Sequence, residues 1–212
     1  MTATVGDLET ANAQEVLAYG VQRFGARMTL ACSFQKEESV LFHMLSEIGA
    51  GEEPFHAFVI DTGVLFPQTL ETWKRFEQRF PAARIDVIDA RSPGAPWTRD
   101  HCCGAAKVEG LQRALADVDA WVTGLRREQA PTRIHTPKVA LDDARSIVKL
   151  SPLADWTEKD VWRYIFEHDL PYNPLHDEGY DSIGCAPCTL PGAGREGRWV
   201  GEDKTECGIH VS

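Results

Sequence analysis

Long apolar runs are missing from this chain. Nothing in its 212 residues approaches the ~20 consecutive apolar residues that a bilayer-spanning helix needs, so no transmembrane helix is expected. Met1 to Ala13 has no basic head followed by an apolar stretch, so neither a secretory signal nor a transit peptide is readable and the cytoplasm is the expected compartment. Internal repeats, low-complexity tracts and obvious linkers are absent as well. That leaves one domain over residues 1–212, and a hydrophobic fraction of 43% is enough for a substantial core. Positive charge is scarce: 22 Lys and Arg against 32 Asp and Glu give a net charge of -10 and a pI near 5.2. A general nucleic-acid surface needs clustered positive charge, so no such partner is expected, and any anionic ligand must meet a local basic pocket. Nothing in the pattern fixes the oligomeric state, and a homo-oligomer is compatible with it.

What is present first is alternation. Met28 to Ser33 reads as a buried strand. Ser39 to Ile48 then places Val40, Leu41, Met44, Leu45 and Ile48 at helical spacing. His56 to Ile60 is a second strand, Pro67 to Phe80 a helix opened by proline, and Arg84 to Asp89 a third strand. Lys107 to Leu115 looks helical, Ala120 to Thr123 looks like a strand ending at Gly124, and the polar stretch Arg126 to Lys138 reads as a loop. A strand at Ile147 to Leu150 precedes Thr157-Glu158-Lys159-Asp160, a capping box that starts a helix running to His168. Strands alternating with helices predict an α/β fold, a mainly parallel sheet flanked by helices. From Pro171 onward the turn-rich chain lacks a periodic core pattern and reads as an irregular functional segment on one domain.

Five of the six cysteines fall in three places: Cys102-Cys103, the loop Cys185-Ala186-Pro187-Cys188, and Cys207 near the end. Outside an oxidising compartment, such spacing points to metal ligation or catalysis before disulfides. Four thiolates suit zinc or an iron–sulfur cluster. The adjacent pair favours the cluster, since a single tetrahedral ion takes ligands two to four residues apart whereas neighbours can serve two irons. Structural zinc stays open as the second reading. Lys107, four residues after Cys103, would share a helical face with it and set a cation beside the cluster, or else be a solvated lysine. Cys207, in a polar tail, is either a reactive thiol or a surplus one. A nucleophilic role needs positive charge nearby, from His210 or from Arg195-Glu196-Gly197-Arg198-Trp199, because an ordinary thiol with a pKa near ~8.5 is mostly protonated at neutral pH. Cys32, inside an apolar strand, reads as a small buried hydrophobe.

Several strings in this order carry a resemblance: Ile60-Asp61-Thr62-Gly63, Cys102-Cys103 with Lys107, Gly124-Leu125-Arg126-Arg127-Glu128-Gln129, Val161-Trp162-Arg163-Tyr164-Ile165, Leu170 to His176, the Cys185–Cys188 loop, Arg195 to Trp199, and Glu206-Cys207-Gly208-Ile209-His210. From about Thr29 to His210 the chain resembles the assimilatory adenylyl-sulfate (APS) reductases of the phosphoadenylyl-sulfate (PAPS) reductase family. The resemblance implies an adenine nucleotide alpha-hydrolase-like (ATP pyrophosphatase-like) fold and a [4Fe-4S] cluster on Cys102, Cys103, Cys185 and Cys188. It also implies that Cys207 is the nucleophile, that residues 195–212 form a mobile segment carrying it, and that thioredoxin or a similar dithiol is the reductant.

Lys107, Arg133, Arg195 and Arg198 match the family's anion-binding positions, where guanidinium forks suit phosphate and sulfate oxygens. Gln35, Ile60 and Gly124 match nucleotide contacts. Ser33 to Ser39 stands in the place of the family's modified phosphate loop, whose backbone amides favour anions; the plainer alternatives are an ordinary strand-to-helix turn and a turn glycine at Gly124. Three departures stand out. Ala106 replaces a common basic residue, Lys36 replaces a common loop glycine, and Ser92 to His101 is short. Two rivals stay open: a PAPS reductase that retains a cluster, and a nucleotide-binding iron–sulfur redox sensor.

Overall fold

The computed structural model describes residues 8–48, 54–91, 105–201 and 206. The first helix lying wholly within the described residues, α1 (Ala13–Phe24), was not expected from the sequence, although its start is written there. The Asn12 side chain accepts from the Glu15 amide at 2.9 Å, and the Glu15 carboxylate accepts from the Asn12 amide at 2.7 Å, which satisfies two donors that helix formation orphans. A side chain at Gly20 would come within 2.7 Å of both Leu150 and Met28, so α1 lies hard against the sheet.

The chain continues through β1 (Met28–Cys32), α2 (Lys36–Ile48), β2 (His56–Asp61), α3 (Pro67–Arg79) and β3 (Arg84–Asp89). Then come α4 (Lys107–Ala114), β4 (Ala120–Val122), β5 (Val139–Asp142), β6 (Ile147–Leu150) and α5 (Glu158–Glu167). The six strands among the described residues form one sheet in the order β3-β2-β1-β4-β6-β5, parallel except for β5, which pairs antiparallel with β6.

Alternate side chains sort to the two faces, as a pleated strand requires. Leu30, Ala57, Val59, Val122 and Leu150 face the core built with α1, α2, α3 and α5. Phe58 and Trp121 face Leu111 of α4 and the nearby Leu115 on the other side. The result is a three-layer sandwich whose central strands are buried on both faces, hence their continuous apolar runs. Phe34, Phe42, Phe76 and Phe80 interlock at centroid separations of 5.1 to 5.6 Å beneath α2 and α3. Rings paired in this way contribute about 0.5–1.5 kcal/mol beyond their area burial.

Two boundaries differ from expectation. Helix α2 begins at Lys36, not Ser39; its first three residues are charged yet buried, Lys36 and Glu37 finding partners across the fold and Glu38 in the preceding loop. The expected loop 126–138 holds two short helical turns, Arg127–Gln129 and Pro131–Arg133.

The topology locates a binding site. From β1 the chain winds outward to β2 and β3, then returns to the other side of β1 for β4. This reversal opens a crevice at the carboxyl ends of β1 and β4, the place where open α/β sheets take ligands.

Candidate active site

A cavity of about 320 Å³ fills that crevice. All seven residues expected to contact a nucleotide or its anionic groups line it: Gln35 after β1, Ile60 on β2, Lys107 at the start of α4, Gly124 after β4, and Arg133, Arg195 and Arg198 from the irregular segments. Cys102, Cys103 and Cys207, and the segment Ser92 to His101, lie outside the described residues.

The loop between β1 and α2 turns on Phe34, which takes the left-handed φ of 58°; Lys36, the suspected break in the loop, enters the helix without such a conformation. Two backbone amides expected to favour an external anion are taken up by a carboxyl of the chain itself. Ser33 and Gln35 donate to the Glu38 carboxyl at 3.4 and 2.9 Å, and the Ser33 hydroxyl adds a bond of 3.1 Å. Burial, reinforced by the neighbouring charge of Glu37, pushes the Glu38 carboxyl up to about 8. Burial also works against the charge of Glu37, but the Arg126 guanidinium prevails and holds it below the usual carboxylate range.

Those charges form a network under the cavity. Arg126 meets Glu37 at 2.9 Å and Glu158 at 2.6 Å, and Lys36 meets Glu158 at 2.7 Å and the carbonyl of Asp181 at 2.9 Å. The Gln129 amide donates to Glu37 at 3.0 Å, while its carbonyl accepts from Arg133 Nη1 at 2.5 Å. Gly124 has no room for a side chain: a Cβ would lie 2.7 Å from the Glu37 Cβ and 2.9 Å from Glu38 Oε1.

The rim carries the arginines. Arg133 grips the Glu206 carboxylate with Nε at 2.8 Å and Nη2 at 2.7 Å, Arg195 adds a bond at 3.1 Å, and the Thr132 hydroxyl one at 2.9 Å. Burial works against this carboxylate, but Arg133 and then Arg195 hold it below the ordinary range. Arg198 donates to the Ser182 hydroxyl at 3.1 Å and lies 4.5 Å above the Trp199 ring. It also presses on Gly184, where a Cβ would sit 2.5 Å from its Nη2.

Cys185 and Cys188 are buried on the short turn Ala186–Cys188, packed with Trp199 and edged by Val64 and Leu65. The Ala186 amide donates to the Val64 carbonyl at 2.9 Å, and the Thr62 hydroxyl is 3.2 Å from the Cys185 sulfur. Ile183 and Gly184, immediately before this turn, line the cavity, so the thiol loop and the cavity wall are one piece of chain. Cys32 is buried at the cavity floor, where desolvation pushes its thiol well above the ordinary range.

Sequence reasoning assigned no role to Glu37, Glu38, Arg126, Gln129 or Glu206. Arg126 and Gln129 stood inside a quoted string, but their partner Glu37 is 89 and 92 residues away.

Residues 27–191 match the family model described as "Phosphoadenosine phosphosulfate reductase domain", and the chain belongs to that family. The adenosine 5'-phosphosulfate reductase of Geobacillus kaustophilus is 41% identical, over 97% of this chain and 93% of that protein. The phosphoadenosine 5'-phosphosulfate reductase of Gloeobacter violaceus is 44% identical, over 93% and 88%. Among solved structures, the PAPS reductase from Candida auris in its phosphate complex superposes with a TM-score of 0.73 at 26% identity, covering 88% of this chain and 94% of that one. The sheet and its flanking helices are those of the adenine nucleotide alpha-hydrolase-like fold.

Proposed function

We propose that the protein reduces APS to sulfite and AMP with electrons from thioredoxin or a similar dithiol, in assimilatory sulfate reduction that feeds cysteine synthesis. The reading rests above all on one observation: four cationic side chains from three separate parts of the sequence, Lys107, Arg133, and Arg195 with Arg198, converge on one cavity at the sheet's reversal point. APS is a mixed phosphate–sulfate anhydride, and its charge must be neutralised before a thiolate can approach the sulfur. Gln35, Ile60 and Gly124 would hold the nucleoside end.

The Cys207 thiolate attacks the sulfate sulfur, a sulfur–sulfur bond forms, and the bond from sulfur to the bridging oxygen breaks, with the electron pair leaving on AMP. The product on the protein is a cysteine S-sulfonate. One thiolate of the dithiol then attacks the Cys207 sulfur and expels sulfite, and the second thiol resolves the mixed disulfide to return the Cys207 thiolate. The dithiol is oxidised to a disulfide as sulfate is reduced to sulfite. To pass its adduct to another protein, the C-terminal segment 195–212 must alternate between covering the cavity and leaving it.

Cys185 and Cys188 fit half of a four-thiolate donor set. Both are buried on one tight turn with a hydroxyl at 3.2 Å and apolar walls, a setting suited to a sulfur-rich centre. Cys102 and Cys103 would complete the set for a [4Fe-4S] cluster. When bound, that cluster supplies cross-linking and local electrostatics beside the cavity, and no electron transfer is assigned to it.

Relatives named for either nucleotide are about equally similar, so identity does not choose between APS and PAPS; the choice of APS rests on the resemblance, in which both cysteine pairs go with the APS-using members. Competitive sulfite-release assays with the two nucleotides test the choice, and a strong preference for PAPS overturns it. Cys207→Ser is expected to abolish both sulfite release and the mass adduct seen with APS in the absence of a dithiol.

A further inference from the structure

The rim arginines raise a question of allocation. Arg133 is expected to meet a substrate anion, yet the directional part of its guanidinium is already engaged: Nε and Nη2 hold Glu206, and Nη1 holds Gln129. Such a two-point fork on a carboxylate fixes orientation as well as distance. Gln129 is itself fixed, since its carbonyl also accepts from the Arg126 amide at 3.0 Å and its amide donates to Glu37. Glu37 in turn is buried against Arg126. A continuous line of hydrogen bonds therefore runs from the floor of the cavity to residue 206. The next residue in the sequence is Cys207.

We propose that Glu37, Gln129, Arg133 and Glu206 form a positioning relay that docks the C-terminal segment by its glutamate and so delivers Cys207 to the cavity mouth. On this view Arg133 acts on the substrate through its charge and on the nucleophile through its hydrogen bonds. None of the four residues reacts; they act through Cys207, and the inference rests on the reading of Cys207 as nucleophile. Misplacing a reacting group by about 1 Å can cost roughly a hundredfold in rate. Loss of the dock should therefore slow the attack far more than it changes nucleotide binding.

The test uses the full-length, cluster-loaded protein purified without oxygen. Wild type, Glu206→Gln, Glu206→Asp and Gln129→Met are mixed with APS in the absence of any dithiol, and the S-sulfonate adduct is followed by intact mass. AMP affinity and the rate of Cys207 alkylation by iodoacetamide are measured alongside. Glu206→Gln removes the charge and keeps the shape, while Gln129→Met removes both contacts and keeps the length. Both are expected to slow adduct formation at least about tenfold, with AMP affinity within about twofold and alkylation undiminished. Glu206→Asp, which keeps the carboxylate, should recover part of the rate. Adduct formation at the wild-type rate in Glu206→Gln would overturn the relay. So would a rise in AMP affinity matching the loss of the carboxylate, because Glu206 would then be a competitor for the anion site and not a dock. Failure of the wild type itself to form an adduct would overturn the nucleophile assignment, and the relay with it, and is told apart by that control.

Discussion

The floor and the rim of the cavity use the same residue types under different terms. On the floor, Arg126 and Glu37 are each only 3–4% exposed, and both charges are answered by residues packed into the same sheet-and-helix body. At the rim, Arg133 is nearly as buried, at 8%, but its partner Glu206 lies 73 residues away in a segment with no periodic core of its own. Removing Arg126 leaves the Glu37 charge in low dielectric without its guanidinium partner. Removing Arg133 leaves Glu206 still held by Arg195 and the Thr132 hydroxyl. The contrast separates arginine used to hold a fold together from arginine used to present a group.

The comparison breaks first at Arg126. Arg126→Met strands Glu37, and a loss of about 3–5 kcal/mol is expected, read as a drop in Tm on the order of 10 °C. Arg133→Met should do the reverse, cutting sulfite formation at least about tenfold while lowering Tm by only a few degrees. Gly124→Ala drives a methyl group into Glu37 and Glu38, and should weaken AMP binding about tenfold or more, measurable by titration.

Glu38 sharpens the contrast by pH. Native Glu38 keeps its proton up to about pH 8, whereas an unfolded glutamate releases it near 4.5. The native state therefore binds more protons across that window, so stability falls as pH rises from about 4.5 to 8 and the loss is complete above it. Glu38→Gln should flatten this slope in denaturation curves taken at several pH values. The smallest effect belongs to the exposed pair Arg27–Asp119, at 61% and 50% exposure. Asp119→Asn should leave Tm unchanged within measurement error, despite good geometry, because solvent screens both partners.

Much of this was legible in the sequence, for identifiable reasons. β1, β2, β4 and β6 are short, mostly apolar runs bounded by turn residues, β3 alternates Ile85, Val87 and Ile88 with charged residues, and α5 begins where Thr157 and Asp160 form their reciprocal cap. The Asn12–Glu15 cap of α1 uses the same chemistry and is equally readable. β5 was hidden because its partner β6 follows after a four-residue turn in which Ser146 takes a left-handed φ of 57°. Nothing in the string Asp143-Ala144-Arg145-Ser146 marks that conformation the way a glycine would.

The candidate contacts were reachable through the family resemblance, position by position. Their organisation was not. Within the Ser33 to Ser39 turn, only the fold reveals that Lys36, Glu37 and Glu38 are all buried, with Lys36 and Glu37 meeting Glu158 and Arg126 from distant segments and Glu38 held by Ser33 and Gln35. Likewise, the amides after β1 looked ready for a phosphate because sequence shows that a loop has amides but not which carboxyl they already hold.

Trp199 carries a consequence for durability. Its indole is packed against Cys185 and Cys188 on one side, while Arg195 and Arg198 lie 5.3 and 4.5 Å from its ring. Oxygen that converts either thiol to a bulkier, charged acid must displace that indole, and with it the platform of two rim arginines. The sheet, joined elsewhere by its own core, has no reason to follow. Aged preparations should thus lose activity while retaining their circular dichroism, with Trp199 fluorescence marking the transition between a sound enzyme and a well-folded spent one.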